Sequence, residues 1–561
     1  MKLKNYLSIA SLAILIGFAS CDDQFDLDLQ NDPNAVTEEN ADVDLFFNAI
    51  QINFRNFFMT SSNLTMPAVR MTAMTGGNVY ENAWSPNSFN GMWNGAYATI
   101  FPDINAMIAI AEEREQFVHV GAAQVMQGYV LMTLVDFFGN IPWTDALQGV
   151  AVPSPTADDD ASIYDAAIAL LDAGIANLSG TTRGTPANDF FYGGDAAAWV
   201  KAANTFKMKA YLNMGNMAGF DAIVASGNYI SSAGDDFVFP YGTNRVNPNS
   251  RHPWYNEHYE VGNGRYHSIQ NMYNMRFRYA VPDPRIRYYY YRQDLVYGDE
   301  PDLENQFTLD CPASPRPIHY TAGMAFCLPA PGDDHSNTAS ADGYFGRAHG
   351  DSDGIPPDGE IRTNWGVYPA GGLFDEDQDA AVKNNGTDGG LGAGISPIMM
   401  SSFVDFMRAE RALAGGDAAT ARTHMENGMR NSIDRVISWS EGLAGSGASG
   451  SAFAPTQADI DAYVADILGL YDAGTDAEKM DVLQYQNHHA LWGNGYEAWN
   501  AYRRTGAPTD LQFTRDQADP GTFPRLMLYP ADYVNLNATI DSNRNIGEQV
   551  FWDTLPAGAL D

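Results

Sequence analysis

The chain has 561 residues, enough for two or three domain-sized units and a large core. Its 69 acidic residues stand against 32 basic ones, a formal net charge of −37 that excludes nucleic acid as a partner, since that binding rests on Lys and Arg neutralising phosphates. So acidic a surface reads as a means of solubility, whereas the 29 Tyr and 10 Trp are more telling, because not all of them need lie in a core.

At the N-terminus Lys2 and Lys4 precede an apolar run from Tyr6 to Phe18, too short to cross a bilayer. Ala19 and Ser20 follow, then Cys21. This predicts a signal peptide over residues 1–20 and lipidation of Cys21; an ordinary signal whose cleavage region merely contains a cysteine is the alternative. Acyl chains anchor stably when two or more act together, so the body needs no membrane segment of its own. Residues 21–40 are acidic and aperiodic and read as a flexible tether.

Helices come next, mostly in pairs. From Val43 to Met59 the residues Val43, Phe46, Phe47, Ile50, Phe54, Phe57 and Phe58 form one amphipathic stripe. Gly95 to Glu113, with a break or kink expected at Pro102, precedes Phe117 to Phe138, which should stop at Gly139. Ser162 is read as the N-cap of Ile163 to Leu178, and Asp195 as the N-cap of Ala196 to Met214. The pattern returns with Pro397 to Ala414, a turn at Gly415-Gly416-Asp417 and a helix to about Ile433. Gln457 to Leu470 is followed by the capping box Thr475 to Glu478, which should start a helix towards His489. Four antiparallel pairs suggest a tetratricopeptide-like stack, although no repeat consensus is visible. The expected fold is thus mainly α, with residues 41–234 and 397–561 as scaffold.

Residues 235–396 differ, being dense in Gly, Pro, Asp, Asn and aromatics, which predicts long loops, short strands and a ligand-binding role. Cys311 and Cys327 lie in this stretch; in an oxidising compartment a disulfide would close a loop of about fifteen residues and stabilise by ~3 kcal/mol, with two free thiols as the alternative.

Several motifs together carry a resemblance. They are NDPNAVT (31–37), MWNGAYATIFPDINAMI (92–108), GYVLMTLVDFFGNIPWTDAL (128–147), WVKAANTFKMKAYLNM (199–214), SPIMMSSFVDFMRAERAL (396–413), QYQNHHALWGNGYEAWNAYRRTGAPT (484–509) and FPRLMLYP (523–530). DFFGNIPW and GYEAWNAYRRTG are the most specific. On these the chain resembles the SusD/RagB-type nutrient-binding outer-membrane lipoproteins, almost end to end. The resemblance implies four tetratricopeptide-like helix pairs with a less regular half supplying ligand contacts, and a role as surface lid of a SusC-like TonB-dependent transporter. Asp22-Asp23 after the lipid cysteine resembles the export signal of such proteins, while Phe18 departs from the commoner Leu of their lipidation motif.

Chemistry is harder to find than binding. No H-E-x-x-H, P-loop or paired C-x-x-C is present, and no catalytic residue, cofactor or metal is expected. His488 and His489 are adjacent and diverge on a helix, Asp351-Ser352-Asp353-Gly354 reads as a solvated turn rather than a calcium loop, and Arg503-Arg504 as partners of a helix end or of acids. A sugar binder wants flat aromatics beside polar side chains. Trp93, Trp143, Trp199, Trp492 and Trp499 lie in helical motifs and read as core. Trp84, Trp254 and Trp365 lie in polar, loop-like settings and are the candidate stacking platforms, a hydrophobic plug under a loop being the alternative for each; Tyr80, with Asn82 and Asn87 around Trp84, is the companion, and Tyr255 and the run Tyr288 to Tyr291 are weaker candidates. The reading is therefore a non-catalytic surface binder of polysaccharide or oligosaccharide, held to the membrane by its lipid alone. A surface polysaccharide hydrolase or a structural helical-repeat adaptor is the alternative.

Overall fold

The structure is a computed structural model and describes residues 42–262, 264–295, 343–351, 362–515, 517, 519–540 and 543–560. Cys21, Cys311 and Cys327, with the lipidation and disulfide expected of them, lie outside the described residues, as does most of the 351–354 turn. The large compact unit comprises Asp44–Asp561.

Helix α1 (Val43–Thr65) buries the expected stripe of Phe47, Ile50, Phe54, Phe57 and Phe58. It runs six residues beyond Met59 because Ser61 and Thr65, though polar and buried, return their hydroxyls to carbonyls of the preceding turn, at 2.8 Å to Phe58 and 2.9 Å to Ser61. The break expected at Pro102 takes the form of a π-helical stretch, Ala96–Ile100, directly before α2 (Phe101–Glu113): the backbone stays helical throughout, but its hydrogen-bond ladder shifts next to a residue with no N–H to donate. α3 (Phe117–Phe138) stops at Gly139, whose φ of +63° suits glycine. α4 (Asp160–Ser179) starts earlier than expected. Asp159, not Ser162, is its N-cap, accepting the Ser162 N–H at 3.3 Å while the Ser162 hydroxyl donates back to the Asp159 carbonyl at 2.7 Å. Asp195 does cap α5 (Ala196–Asn213), and α6 (Met217–Ser226) follows.

α3 and α4 are both long and apolar enough to cross a membrane, but α3 is buried on nearly every side by α2, α4 and α5, so its apolarity is that of a core helix. The two cross closely at glycines. A Cβ on Gly121 would meet the Gly174 carbonyl at 2.8 Å, and one on Gly174 would meet the Gly121 carbonyl at 2.9 Å.

The C-terminal half repeats the arrangement with α8 (Ser401–Ala414), α9 (Ala418–Gly442), α10 (Gln457–Ala473), α11 (Asp476–Ala490) and α12 (Gly495–Thr505), numbered after α7 (Ile269–Phe277) of the middle region. Phe406, Met425, Met429, Tyr463, Ile467 and Leu483 fill one core between α8, α9, α10 and α11. The capping box at Thr475 and Glu478 forms as expected. Pro397 lies in a strand and not in α8, because β4 (Ile395–Met399) pairs antiparallel with β1 (Phe237–Pro240), Val238 opposite Pro397, and the helix begins only after an extended Met400. The fold is therefore mainly α, and the four helix pairs α2–α3, α4–α5, α8–α9 and α10–α11 are in place, with α13 (Ala531–Leu536) near the C-terminus.

The described part of the middle region has the short strands expected of it. β2 (Tyr290–Tyr291) pairs with β3 (Asn364–Trp365), Tyr290 opposite Trp365, and Pro253–Tyr255 runs straight into a π-helical segment Asn256–Val261.

Two buried carboxylates tie these parts together. Asp136 of α3 accepts hydrogen bonds from the hydroxyls of Tyr164 (2.6 Å) and Tyr496 (2.5 Å), from Asn500 Nδ2 (2.8 Å) and from Trp552 Nε1 (2.9 Å). Asp283 of the middle region pairs with Arg285 at 2.6 Å and accepts the Tyr463 hydroxyl at 2.8 Å, while Arg285 also donates to Ser432 Oγ at 2.8 Å. Burial alone would raise the Asp283 carboxyl, but the Arg285 guanidinium holds it far below the usual carboxylate range.

Candidate ligand-binding site

The tryptophans singled out for their polar settings separate into two kinds. Trp254 and Trp365 are fully buried and stack face to face, ring centroids 4.3 Å apart and planes within 6°, with Trp492 against Trp365 at 5.0 Å. They are not exposed platforms, and that expectation is corrected. Trp254 Nε1 donates to Asn63 Oδ1 of α1 (2.8 Å), and the histidines around Trp254 in sequence are interior partners: the Trp254 backbone N–H donates to His252 Nδ1 (3.1 Å) and the Trp365 backbone N–H to His258 Nδ1 (2.9 Å). Buried polar groups must be hydrogen-bonded, so a polar sequence context can mark an interior network as readily as a wet loop. Burial pushes His258 down to about 3, which keeps its ring neutral and Nδ1 free to accept.

Tyr80 is also buried, its hydroxyl taking the Arg70 Nη2–H at 2.7 Å, and Tyr255 and all of Tyr288 to Tyr291 lie inside. Of the candidate stacking aromatics only Trp84 is half-buried. It sits between the short helical turns Tyr80–Ala83 and Pro86–Phe89, whose Tyr80 and Phe89 are buried on either side of it. The loop is pinned, the Tyr80 N–H donating to the Pro520 carbonyl (2.9 Å) and Glu81 Oε1 accepting the Thr522 N–H (2.8 Å). Trp93, Trp199, Trp492 and Trp499 are core, and Trp143 is half-buried.

A cleft of about 600 Å³ opens where the middle region meets the corner between α10 and α11. Half-buried Tyr279 supplies ring surface, the largely buried Tyr273 and Tyr485 line the wall, and Arg278, Glu478 and Asp481 supply charge. The Arg278 guanidinium lies 3.7 Å over the Tyr485 ring and reaches Asp510 at 2.8 Å, and the Tyr485 hydroxyl bonds the same carboxylate. Burial pushes the Tyr279 hydroxyl up to about 12 against the pull of Arg278, so it stays neutral. Flat phenol rings beside a fixed guanidinium and carboxylates match a sugar, which offers an apolar C–H face and a rim of hydroxyls. Sequence reasoning missed this cleft. Its tyrosines are single residues in MYNMRFRYAV and VLQYQN, without the cluster that drew attention elsewhere.

A second cleft, of about 330 Å³, lies between Trp93, Tyr97 and the loop 142–155 on one side and α13 on the other. Among the described residues no group of three or more His, Cys, Asp or Glu side chains is placed to hold a metal. His488 and His489 instead pair singly, His488 Nε2 with the Val69 carbonyl (2.8 Å) and His489 with Asp283 (3.3 Å). Arg503 is buried over Trp499, and Arg504 forms a salt bridge with Glu410.

Residues 33–301 and 367–530 match a family of SusD-like proteins described as starch-binding and associating with the outer membrane. The chain belongs to the SusD-like family. Solved structures agree on the fold of this SusD-like chain. A Bacteroidetes SusD-like protein is 15% identical with a TM-score of 0.62, covering 92% of this chain and 100% of its own. A chitin-binding protein is 18% identical with a TM-score of 0.60, over 92% and 100%. A SusD homologue from Bacteroides fragilis is 17% identical with a TM-score of 0.62, over 91% and 99%. Comparison with curated proteins gives no match.

Proposed function

We propose that this SusD-like chain is a non-catalytic lipoprotein of the outer-membrane surface that captures an oligosaccharide or polysaccharide for import through a SusC-like TonB-dependent transporter. Membership of a family described as starch-binding and outer-membrane-associated supports the reading, and a solved neighbour is described as chitin-binding. The observation that carries it is the 600 Å³ cleft, where tyrosine rings, Arg278 and carboxylates converge. Trp84, on its pinned loop, is the further contact. Lipid on Cys21 would hold the body at the membrane, and Cys21→Ala should shift the protein from the membrane to the soluble fraction with its fold unchanged.

Titration calorimetry against soluble starch and chitin oligosaccharides tests the binding role. Release of heat on binding without release of reducing ends is expected, and Arg278→Ala should weaken affinity about tenfold, the worth of a hydrogen bond to a charged group. New reducing ends would instead identify a hydrolase. No heat with any glycan would leave a helical adaptor.

A further inference from the structure

The 330 Å³ cleft differs in chemistry from the one that carries the glycan reading. Trp93 lies between Tyr97 and Tyr533, ring centroids 4.6 and 4.5 Å away, and Pro142, Pro153 and Pro155 continue the wall. A sugar would need many hydrogen-bonding partners for its hydroxyl rim. Here most polar groups are already engaged: the Tyr97 hydroxyl donates to the Pro142 carbonyl (2.5 Å), Asn537 donates to the Pro155 carbonyl (2.8 Å) and accepts from Thr539, and Asn94 donates to Asp532 (2.9 Å). Among the described residues no basic side chain lines the cleft and the one formal charge is the Asp532 carboxylate, which disfavours anions.

Two further observations point to a ligand. Tyr533, only 5% exposed, has a buried hydroxyl with no hydrogen-bond partner among the described residues, and such a group is costly to leave unpaired. Leu147 holds a left-handed backbone, φ +64°, a strained conformation for a bulky residue, and yet its side chain is 41% exposed at the cleft. Leu536, also lining the cleft, and nearby Val150 are exposed at 78% and 100%. Strain held in place to present an apolar side chain to water is unexplained by folding alone.

We propose that this cleft is a second binding site, which takes an uncharged aromatic ring bearing a hydroxyl or ether oxygen, the ring packing among Trp93, Tyr97 and the leucines, with a hydroxyl or ether oxygen accepting from Tyr533 or a hydroxyl donating to Asp532. It is separate from the glycan cleft, with which it shares no lining residue. Such rings occur as aryl substituents on glycosides and as free phenols.

Ligand-observed NMR and calorimetry on the soluble body, with phenyl β-glucoside and methyl β-glucoside as probes, test it. The phenyl compound should bind at least about tenfold more tightly, the worth of roughly 1.4 kcal/mol. Leu147→Gly should weaken the phenyl compound about fivefold while leaving the melting temperature unchanged or about 2 °C higher, since glycine relieves the strained backbone. Tyr533→Phe should likewise lower affinity without loss of stability. Equal binding of the two glucosides overturns the proposal, as does phenyl binding that is indifferent to both substitutions. Phenyl binding lost in Arg278→Ala but retained in Leu147→Gly would overturn it too and assign the ring to the glycan cleft. Failure of every starch or chitin oligosaccharide to bind, with the phenyl preference intact, would remove the glycan reading and leave this site standing.

Discussion

The helical scaffold and the middle region both bury charge, but they do it differently. In the scaffold one carboxylate, Asp136, is a hub that gathers four neutral donors from α4, α12 and the C-terminal segment beside the buried Lys209–Glu497 pair. In the middle region the charge is shared along pairs, Asp283 with Arg285, Arg292 with Asp375, and Arg251 with Glu260, woven between stacked aromatic rings. Periodic apolar faces leave a scaffold only a few polar groups to satisfy, whereas a region of irregular backbone frees many N–H and C=O groups and must recruit side chains to meet them.

The widest separation between the two should come from the hub. Asp136→Ala removes the common acceptor of four buried donors and the nearest carboxylate but one to Lys209, which lies 3.8 Å away and also pairs with Glu497 at 2.8 Å. Truncating one member of a buried charged network costs about 3–5 kcal/mol, and with so many partners stranded the upper end is expected. Chemical denaturation should show a shifted midpoint for the whole cooperative unit. A loss below about 1 kcal/mol would mean that water replaces the carboxylate and that the hub is dispensable.

Trp254→Ala tests the other region. A fully buried indole stacked on Trp365 should cost about 3–5 kcal/mol on truncation, with the lower part of that range expected if neighbouring Tyr and His rings relax into the space. Glycan affinity measured well below the melting temperature should be unchanged. Affinity lost with stability intact would reverse the correction and return Trp254 to the ligand.

The scaffold was legible from the sequence because helices announce themselves twice, by a 3.6-residue apolar stripe and by caps such as Asp195 and the Thr475–Glu478 box. Boundaries slipped where two signals competed, as at Asp159 and Ser162, or where a proline-containing strand adjoined a helix at Pro397. The aromatic placement in the middle region was not legible. RHPWYNEHYE and RTNWGVYPAGG read as wet loops since their His, Asn and Glu are polar, and only the three-dimensional partners reveal that those groups serve an interior. The two clefts, too, are assembled from residues distant in sequence, Tyr97 with Tyr533 and Tyr279 with Tyr485, so no local motif could mark them.

A smaller effect distinguishes the regions by pH. Burial pushes Asp405 of α8 up to about 6, despite the Asn431 hydrogen bond at 2.7 Å, whereas Asp283 is held low by Arg285. The signs are opposite. Asp405 ionises less readily in the folded chain than at its unfolded value of about 3.9, so it favours folding below that value and loses this contribution as pH rises through about 6. Asp283 contributes stability above the unfolded value and loses it only on strong acidification. Asp405→Asn should therefore raise stability at pH 7 by about 1 kcal/mol, discounted because the group is partly exposed, and flatten the change between pH 4 and 7. Identical pH profiles for the variant and the parent would show that Asp405 titrates normally.

The smallest expected effect on folding is also the sharpest test of where ligand contact begins. Trp84 is half-buried between two buried aromatic anchors, Tyr80 and Phe89, on a loop fixed at Pro520 and Thr522, so its exposed ring area is held in place before any ligand arrives. Pre-organised aromatics lose little conformational freedom on binding, and a few of them carry most of an interface's energy. Trp84→Ala should therefore lower glycan affinity by about 2 kcal/mol, roughly thirtyfold, while folding stability falls by only about 1 kcal/mol, in proportion to the buried part of the ring. Trp84→Phe keeps a flat ring and should recover most of the affinity. A melting curve and a titration on the same samples decide between the two roles, because a tryptophan that merely plugs the loop would show the reverse signature, with a loss of about 3–5 kcal/mol in stability and an unchanged binding constant.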